Sequence, residues 1–336
     1  MATIRDVSKI AGVSVATVSR TISKPDKVSA KTREIVEAAI QETNYKPDVL
    51  ARNFRTRKSS TIVVLVPDIA NPFFSRVIRG IEQTAQNLGY SVLLGDTQGE
   101  HDREIVYANM VRTSQADGII QLDSHIPFED ENETATPIVN ACDCIRGANI
   151  PTIEIDNAAA AEKMTDYLIS LGHKNIAVIT GPVASTITKD RLKGYKKALK
   201  NAAIDFTYSN IYTGDYSISS GATVTKTLLS NDNPPSAIFC MNDEMAIGAI
   251  NQVKNMGYAV PSDISIAGFD DISFAQYNDP PLTTISQPAE DFGAKAMSTL
   301  YNIINQIEPI QKNVFLDFEL IIRNSTGQHQ NDTNSI

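Results

Sequence analysis

The apolar positions along the chain fall into two textures that change near residue 60. In the first, Ile4, Val7, Ile10 and Ala11 follow a 3.6-residue period, which predicts a short amphipathic helix over residues 4–11. Gly12 ends it and supplies the left-handed position that a tight corner needs. Ser14 stands as N-cap of a second helix, Val15 to Ile22, with Val18 and Ile22 facing inward. A third helix, Lys31 to Thr43, is capped by Ser29 and carries Ile35, Val36, Ala39 and Ile40 on one face. Three short helices, the first two joined by a glycine turn, are the layout of a helix-turn-helix head, here residues 1–46. Tyr45-Lys46-Pro47 stops the third helix. Pro47 then opens another, Asp48 to Arg55, within a hinge and linker over residues 47–60. A helix of one to two turns is marginal alone in water, so this one is expected to form only when DNA or a partner copy holds it.

From Thr61 the pattern becomes continuous apolar runs alternating with helical periods. Strands are predicted at Ile62–Val66, Tyr90–Asp96, Gly118–Leu122, Pro137–Val139 and Ile153–Ile155. Helices Phe73–Leu88 and Glu104–Ser114 lie between them, and another follows Asn157 up to Gly172. The pattern resumes with strands Asn175–Thr180, Asn210–Tyr212, Ala237–Cys240 and Ile264–Phe269, separated by helices Arg191–Asn201, Ile218–Leu229 and Asp243–Met256. Such alternation predicts parallel sheets covered on both faces, that is, an α/β fold of two similar doubly wound lobes within residues 61–324. Lobe 1 is assigned residues 61–155 and 292–324, and lobe 2 residues 156–291. A helix from Asp291 to Gln306 and a strand from Phe315 to Ile322 are expected to cross back to lobe 1, and residues 325–336 read as a loose polar tail.

Charge sharpens the division. The 336-residue chain has net charge -9. Its first 60 residues nevertheless hold 12 Lys+Arg against 6 Asp+Glu, and the remainder 18 against 33. A cationic head on an acidic body suits a protein whose head alone meets phosphate. On the second helix, Val15, Ala16 and Arg20 lie on the side available to a major groove. Ser14, Thr17 and Ser19 bring short hydroxyls suited to phosphates or base edges. The three cysteines, Cys142, Cys144 and Cys240, have no disulfide-framework spacing, and Cys142-Asp143-Cys144 lacks nearby histidines. With no apolar run at the N-terminus and no stretch of 18 apolar residues, a cytoplasmic location is expected.

Ligands of doubly wound sheets bind beyond the carboxyl ends of the strands, and two lobes can face those ends across a cleft. The residues that follow the strands are Asp68, Asn71, Phe73 and Phe74, then Asp96, then Asp123 and Ser124. In the second lobe they are Ser185 to Arg191, Asp215 and Tyr216, Asn242 and Asp243, then Asp270 and Asp271. Aromatic plates, carboxylates and an arginine suit a polyhydroxylated ring. Helix capping is the alternative role for Asp243 and Asn157. No catalytic set is present. His101, His125, His173 and His329 show no i,i+4 pairing, His173 reads as a turn residue, and no nucleophile elbow, phosphate loop or dinucleotide fingerprint occurs. No enzyme activity, cofactor or metal site is expected.

Taken together, Ile4-Arg5-Asp6-Val7-Ser8-Lys9-Ile10-Ala11-Gly12-Val13-Ser14, Ala16-Thr17-Val18-Ser19-Arg20, Lys27-Val28-Ser29 and Asn44-Tyr45-Lys46-Pro47 resemble the head of the LacI/GalR family of bacterial repressors. Asn71-Pro72-Phe73-Phe74, Arg191-Leu192-Lys193-Gly194-Tyr195, Gly268-Phe269-Asp270-Asp271 and Pro281-Leu282-Thr283-Thr284-Ile285 extend the resemblance over residues 2–326. It is strongest to the family's cytidine-responsive branch. The resemblance implies a homodimer on a near-palindromic double-stranded operator and a cleft for a small effector, with a body of the periplasmic-binding-protein type. It puts Val15, Ala16 and Arg20 at base-reading positions, Phe73, Phe74 and Tyr216 at the aromatic plates, and Arg191 and Asp270 at the polar clamps. With the residue-level reading, the expected DNA contacts are Ser14, Val15, Ala16, Thr17, Ser19, Arg20, Asn53 and Phe54. The expected effector contacts are Phe73, Phe74, Ser124, Asp156, Arg191, Tyr216, Asp243, Asp270 and Gln287. Phe54 stands where the family usually has a minor-groove leucine, a departure that leaves room for a cooperating DNA-bound activator such as the cAMP receptor protein. A nucleoside such as cytidine is the first effector reading and a pentose or hexose the second. A solute-binding transport protein shares the two-lobe body, but would need a secretion signal and no cationic head.

Overall fold

The computed structural model describes residues 2–46, 58–128, 136–145 and 149–329. The chain divides into two compact units, Met1–Ser59 and Ser60–Ile336. The expected hinge helix, with Asn53 and Phe54, lies outside the described residues.

The first unit contains helices α1 (Ile4–Ala11), α2 (Val15–Ser23) and α3 (Ala30–Thr43). Thr3 and Asp6 form a capping box on α1, and Ser14 and Ser29 accept from the backbone N–H of Thr17 and Thr32 to cap the other two. Gly12 turns the chain between α1 and α2 at φ 63°. Val7, Ala11, Val18, Val36 and Ala39 make the core. Ile10 and Ile35, expected inside, are 47% and 43% exposed. Each helical residue advances about 100°, so Ile35 lies roughly 100° from Val36 and Ile10 roughly 60° from Val7, at the margin of a core too small to reach them.

In the second unit, lobe 1 holds a six-stranded sheet ordered β11-β5-β4-β3-β1-β2. Its strands are β1 (Thr61–Val66), β2 (Ser91–Asp96), β3 (Gly118–Gln121), β4 (Ile138–Ala141), β5 (Thr152–Glu154) and β11 (Asn313–Phe315). All its pairings are parallel. Helices α4 (Pro72–Asn87) and α5 (His101–Arg112) belong to this lobe. Lobe 2 holds a parallel four-stranded sheet of β6 (Ile176–Thr180), β7 (Ile211–Thr213), β8 (Ala237–Cys240) and β9 (Ser265–Ala267). Around it run α6 (Asn157–Ser170), α7 (Thr186–Asn201), α8 (Ile218–Leu229) and α9 (Asp243–Asn255). Strand β1 is apolar from Ile62 to Val66 because both faces are covered: Ile62, Val64 and Val66 join one buried cluster, Val63 and Leu65 another.

The chain passes between the lobes three times. It enters lobe 2 after β5, and it returns through β10 (Thr284–Ser286) to α10 (Ala289–Ile304), where Phe292 meets Phe73 of α4. The single strand expected over Phe315–Ile322 is two. Strand β11 extends the lobe 1 sheet beside β5, whereas β12 (Glu319–Ile321) pairs antiparallel with β10. One continuous strand could not serve both sheets.

The third passage corrects the reading of the tail. Ser325 is fully buried, its carbonyl accepts from Ile266 N at 2.8 Å, and its hydroxyl links Thr283 N to the Ile266 carbonyl. The residues from 325 to 329 are therefore a structural edge of lobe 2, where Gly327 N also donates to Ser265 Oγ and His329 N to the Leu171 carbonyl. His173 is likewise more than a turn residue. It is 2% exposed, its Nδ1 lies 2.9 Å from Ser236 Oγ, its Nε2 lies 3.0 Å from Ser265 Oγ and 3.1 Å from the Gly327 carbonyl, and its ring stacks on His329.

Burial depresses the His173 pKa from 6.5 to about 4. The unfolded chain therefore takes up this proton first as pH falls, so the stability His173 lends at neutral pH is lost progressively between pH 6.5 and 4, up to roughly 3 kcal/mol. Denaturant titrations of the wild type and His173→Gln should show the wild type more stable at pH 7. The gap should narrow by pH 5; a constant gap would mean that His173 is not held neutral by the fold.

Candidate functional site

The strand ends of the two lobes face each other across a cleft of about 1000 Å³. Its floor is organised by Arg191 on α7, which is 3% exposed. The guanidinium stacks 3.5 Å above the Phe269 ring centre, Nε donates to Asn157 Oδ1 at 2.9 Å, and Nη1 donates to the Met241 carbonyl. Nη2 stands 3.8 Å from Asp270 Oδ1, an oxygen that also accepts from Gln287 Nε2 at 2.6 Å. Asp270 follows β9 at φ 109°, with its backbone N–H bonded to the Ile285 carbonyl, and so is turned inward by the β9–β10 junction. Burial raises its pKa to about 6 against the lowering effects of Arg191 and Gln287. Burial also lowers the Arg191 pKa, opposed by Asp270. A buried, oriented donor–acceptor pair of this kind suits vicinal hydroxyls.

The aromatic walls come from opposite lobes. Asn71 caps α4, accepting from Phe73 N at 2.8 Å, and so starts the helix that carries Phe73 and Phe74. Both line the cleft, but Phe73 is only 7% exposed and packs on Phe292, so Phe74 supplies more of the free surface. From lobe 2, Tyr216 lies at φ 69°, an uncommon conformation for a bulky side chain. Asn242 Nδ2 holds its carbonyl at 2.8 Å, and its hydroxyl is 3.0 Å from Thr188 Oγ1. A Cβ at Gly181 would fall 2.0 Å from Tyr216 Cζ, so the missing side chain is what admits the ring.

Of the expected effector positions, Phe73, Phe74, Ser124, Arg191, Tyr216, Asp270 and Gln287 come together on this one surface. Asp156 and Asp243 do not, and those two expectations are corrected. Asp156 caps α6 through Ala159 N and belongs to a separate depression with Phe315–Phe318. Asp243 is completely buried behind the wall, accepting from Ile272 N at 2.8 Å and Thr284 Oγ1 at 2.6 Å, so it ties the start of α9 to the β10 strand.

Sequence reading missed Asp143 and Glu244. Asp143 lines the cleft from lobe 1; burial, then the neighbouring Asp123, push its pKa to about 7. Among the described residues nothing donates to its Oδ1. The rule that found the other positions would have found it too, had it been applied after the fourth strand. Glu244 was hidden inside α9. It accepts from Asn71 Nδ2 at 2.8 Å across the cleft, and burial, with Asp68 and Asp270 nearby, raises its pKa to about 7.

In the first unit, Ser14, Val15, Ala16 and Arg20 are exposed, whereas Thr17 and Ser19 are partly covered. Positions 15, 16, 19 and 20 share one face of α2 opposite buried Val18 and Thr21. The Ser14 and Thr17 hydroxyls lie 2.9 Å apart and carry the cap, so their free hydrogen-bonding capacity is reduced.

Residues 3–48 match the family model described as bacterial regulatory proteins, lacI family. Residues 59–324 match the model for periplasmic binding proteins and the sugar binding domain of the LacI family. The HTH-type transcriptional repressor CytR of Escherichia coli (strain K12) is 42% identical over 328 residues, covering 97% of this chain and 96% of that protein. The ribose operon repressor of the same strain is 36% identical over 310 residues, covering 91% and 94%. Among solved structures, the lac repressor dimer bound to operator and the anti-inducer ONPF has a TM-score of 0.86 at 30% identity, covering 97% of this chain and 99% of that one.

Gly181→Ala should displace the Tyr216 ring and break its contact with Thr188. Affinity for a cleft ligand should fall by roughly tenfold or more, about 1.4 kcal/mol, with the fold retained by circular dichroism. Calorimetric binding equal to wild type would remove Tyr216 from the recognition surface.

Proposed function

The chain belongs to the LacI family of bacterial regulatory proteins and is a LacI-type transcriptional repressor, and from that premise we propose that its cleft binds a nucleoside, with cytidine the first candidate. As in the family, it acts on a DNA operator as a dimer whose body takes a small-molecule effector. The helix-turn-helix head of residues 3–48, within a cationic first 60 residues, separates it from transport proteins that share only the body. A regulator of bacterial DNA works in the cytoplasm, which is the location proposed here. No helix among the described residues is long and apolar enough to cross a membrane.

The observation that carries the nucleoside reading is the pairing of unlike surfaces in one cleft. Phe74 and Tyr216 offer aromatic faces for a flat base, while Asp270, Arg191 and Gln287 form a dense donor–acceptor set for ribose hydroxyls. Asp143, which lines the cleft and whose Oδ1 meets no donor among the described residues, adds an acceptor for an amino or hydroxyl group. A pentose or hexose is the second reading, favoured by the 36% identity to the ribose operon repressor. On the DNA side, Val15, Ala16, Ser19 and Arg20 are the proposed groove-facing residues, with Ser14 and Thr17 beside them at the helix start. Val15 and Ala16 can offer only apolar contacts such as a thymine methyl, so direct readout is thin. That supports cooperation with a second DNA-bound protein such as the cAMP receptor protein.

A thermal-shift panel of nucleosides, free bases, pentoses and hexoses tests the effector. A ligand at 100 times its Kd adds about 2.7 kcal/mol of stability, well within detection. Cytidine or a related nucleoside should raise Tm; a shift produced by sugars alone would replace the nucleoside reading with the second one.

The link to DNA is tested at Asp270. Asparagine tolerates its left-handed backbone better than alanine, so Asp270→Asn is the cleaner variant. Effector affinity should fall, by about 1.5–3 kcal/mol for the full loss in Asp270→Ala and by less for Asp270→Asn. Operator binding without effector should stay near wild type in a gel-shift assay while release by effector fails. An Asp270→Asn protein released normally would make Asp270 a structural residue only.

A further inference from the structure

We propose that His101, Glu104, Asp123 and His125 form a binding site for a first-row divalent metal ion of the Zn2+ type at the lobe 1 edge of the cleft. The four residues come from two separate places. His101 and Glu104 occupy the first turn of α5, and Asp123 and His125 follow β3. The fold brings single ligand atoms of Glu104, Asp123 and His125 within 4.8 Å of one another. His101 Nδ1 is 3.1 Å from Glu104 Oε2, and His125 Nδ1 is 3.7 Å from Glu104 Oε1 and 3.8 Å from Asp123 Oδ2.

Glu104, Asp123 and His125 already converge, and His101, beside Glu104, is one side-chain rotation from joining them in a tetrahedral shell. Zinc–nitrogen and zinc–oxygen bonds of about 2.0–2.1 Å place ligand atoms roughly 3.3 Å apart, so small side-chain rotations would close the shell. Two imidazoles with two carboxylates favour a borderline ion over Mg2+ or Ca2+, which prefer all-oxygen shells. The Glu104 side chain is 0% exposed, and among the described residues no lysine or arginine pairs with it. Its oxygens are met by the two histidines and by Gln121 Nε2 at 3.0 Å. A carboxylate buried so completely calls for a partner of opposite charge, and a metal ion supplies it.

Two further features point the same way. Gln121 is itself fully buried and donates to Glu104 Oε1 at 3.0 Å, fixing the carboxylate, while among the described residues its own Oε1 meets no donor. Asn140 donates to the carbonyls of Gln121 and Asp123 at 3.1 and 2.9 Å, fixing the loop on which Asp123 and His125 stand. The histidine side chains are 49% and 50% exposed, so the site is open to an ion from solvent. Asp123 and His125 also line the cleft, so a bound ion would stiffen its lobe 1 wall.

The test is calorimetric titration of the full-length, chelator-treated protein with ZnCl2, with MgCl2 in parallel. The visible absorption of added Co2+ reports coordination geometry. One Zn2+ should bind per chain, Mg2+ should give no comparable binding, and Co2+ should show the intense bands of a tetrahedral site. The double variant His101→Ala, His125→Ala replaces two half-exposed side chains and should stay folded by circular dichroism. Its Zn2+ affinity should fall at least about tenfold, while His329→Ala, a control for histidine elsewhere, should bind as wild type does. Absence of Zn2+ binding to the wild type, or equal affinity in the double variant, would overturn the proposal and leave a hydrogen-bonded cluster without a metal.

Discussion

The body is built around one buried cation. Arg191 must serve carboxylates that converge from both lobes: Asp270 and Asp243 from lobe 2 and Asp143 from lobe 1, all of which act on its charge. Taking a guanidinium and several carboxylates out of water is costly, and burial is the main cause of the shifts that follow. The result is visible in the acids, whose pKa values all rise: Asp270 to about 6, Asp143 to about 7, and Asp243 well above its ordinary value. Stacking on Phe269 and bonds to Asn157 and the Met241 carbonyl hold Arg191 in place without any ligand. A floor held this way is preorganised, and hydroxyl donors brought by a ligand would offset the desolvation of the acids.

The same floor bears on how binding at the cleft can reach the rest of the molecule. Arg191 and Asp143 sit on opposite lobes, and the cleft is bridged again where Asn71 donates to Glu244 and Arg76 donates to the Asp271 carbonyl. The Asn71 side chain also caps α4, so its amide group couples a lobe-to-lobe bond to the start of the helix that carries Phe73 and Phe74. Three chain passages join the lobes, and the last one ends in the buried Ser325 edge of lobe 2. A ligand that favours one lobe spacing over another shifts that equilibrium only by its difference in affinity for the two states, and groups shared between the lobes are where such a difference arises.

The positions of single residues show how far sequence reading carries. The strand-end rule led to Asp270, Arg191 and Tyr216 because a parallel strand delivers the next residue to the same edge wherever it lies in the sheet. It failed at Asp243, which also follows a strand, and Asp156, which that rule had not named, is no cleft residue either. Asp243 is drawn inward by the Ile272 backbone and the Thr284 hydroxyl, and Asp156 is taken up by its own helix cap. It passed over Glu244, one residue into a helix, whose role depends on Asn71, a residue 173 positions away in the chain. Ser325 and Thr326 carried a composition that reads as loose tail, yet their hydroxyls are spent on strand edges that no local pattern announces.

What the sequence by itself determined was whatever depends on neighbours a few residues apart. The head helices and their caps follow from period and capping chemistry, the doubly wound lobes from buried apolar runs alternating with helices, and the split of charge between head and body from simple counting. The tertiary structure alone decided which polar groups share a space. It alone could bring Glu104 within reach of His125, set Tyr216 against Gly181, divide Phe315–Ile322 between two sheets, and bury His173 beneath Gly327. Those juxtapositions arise from how separate elements pack, and a pairing between residues 20 or 150 positions apart leaves no periodicity in the chain to read.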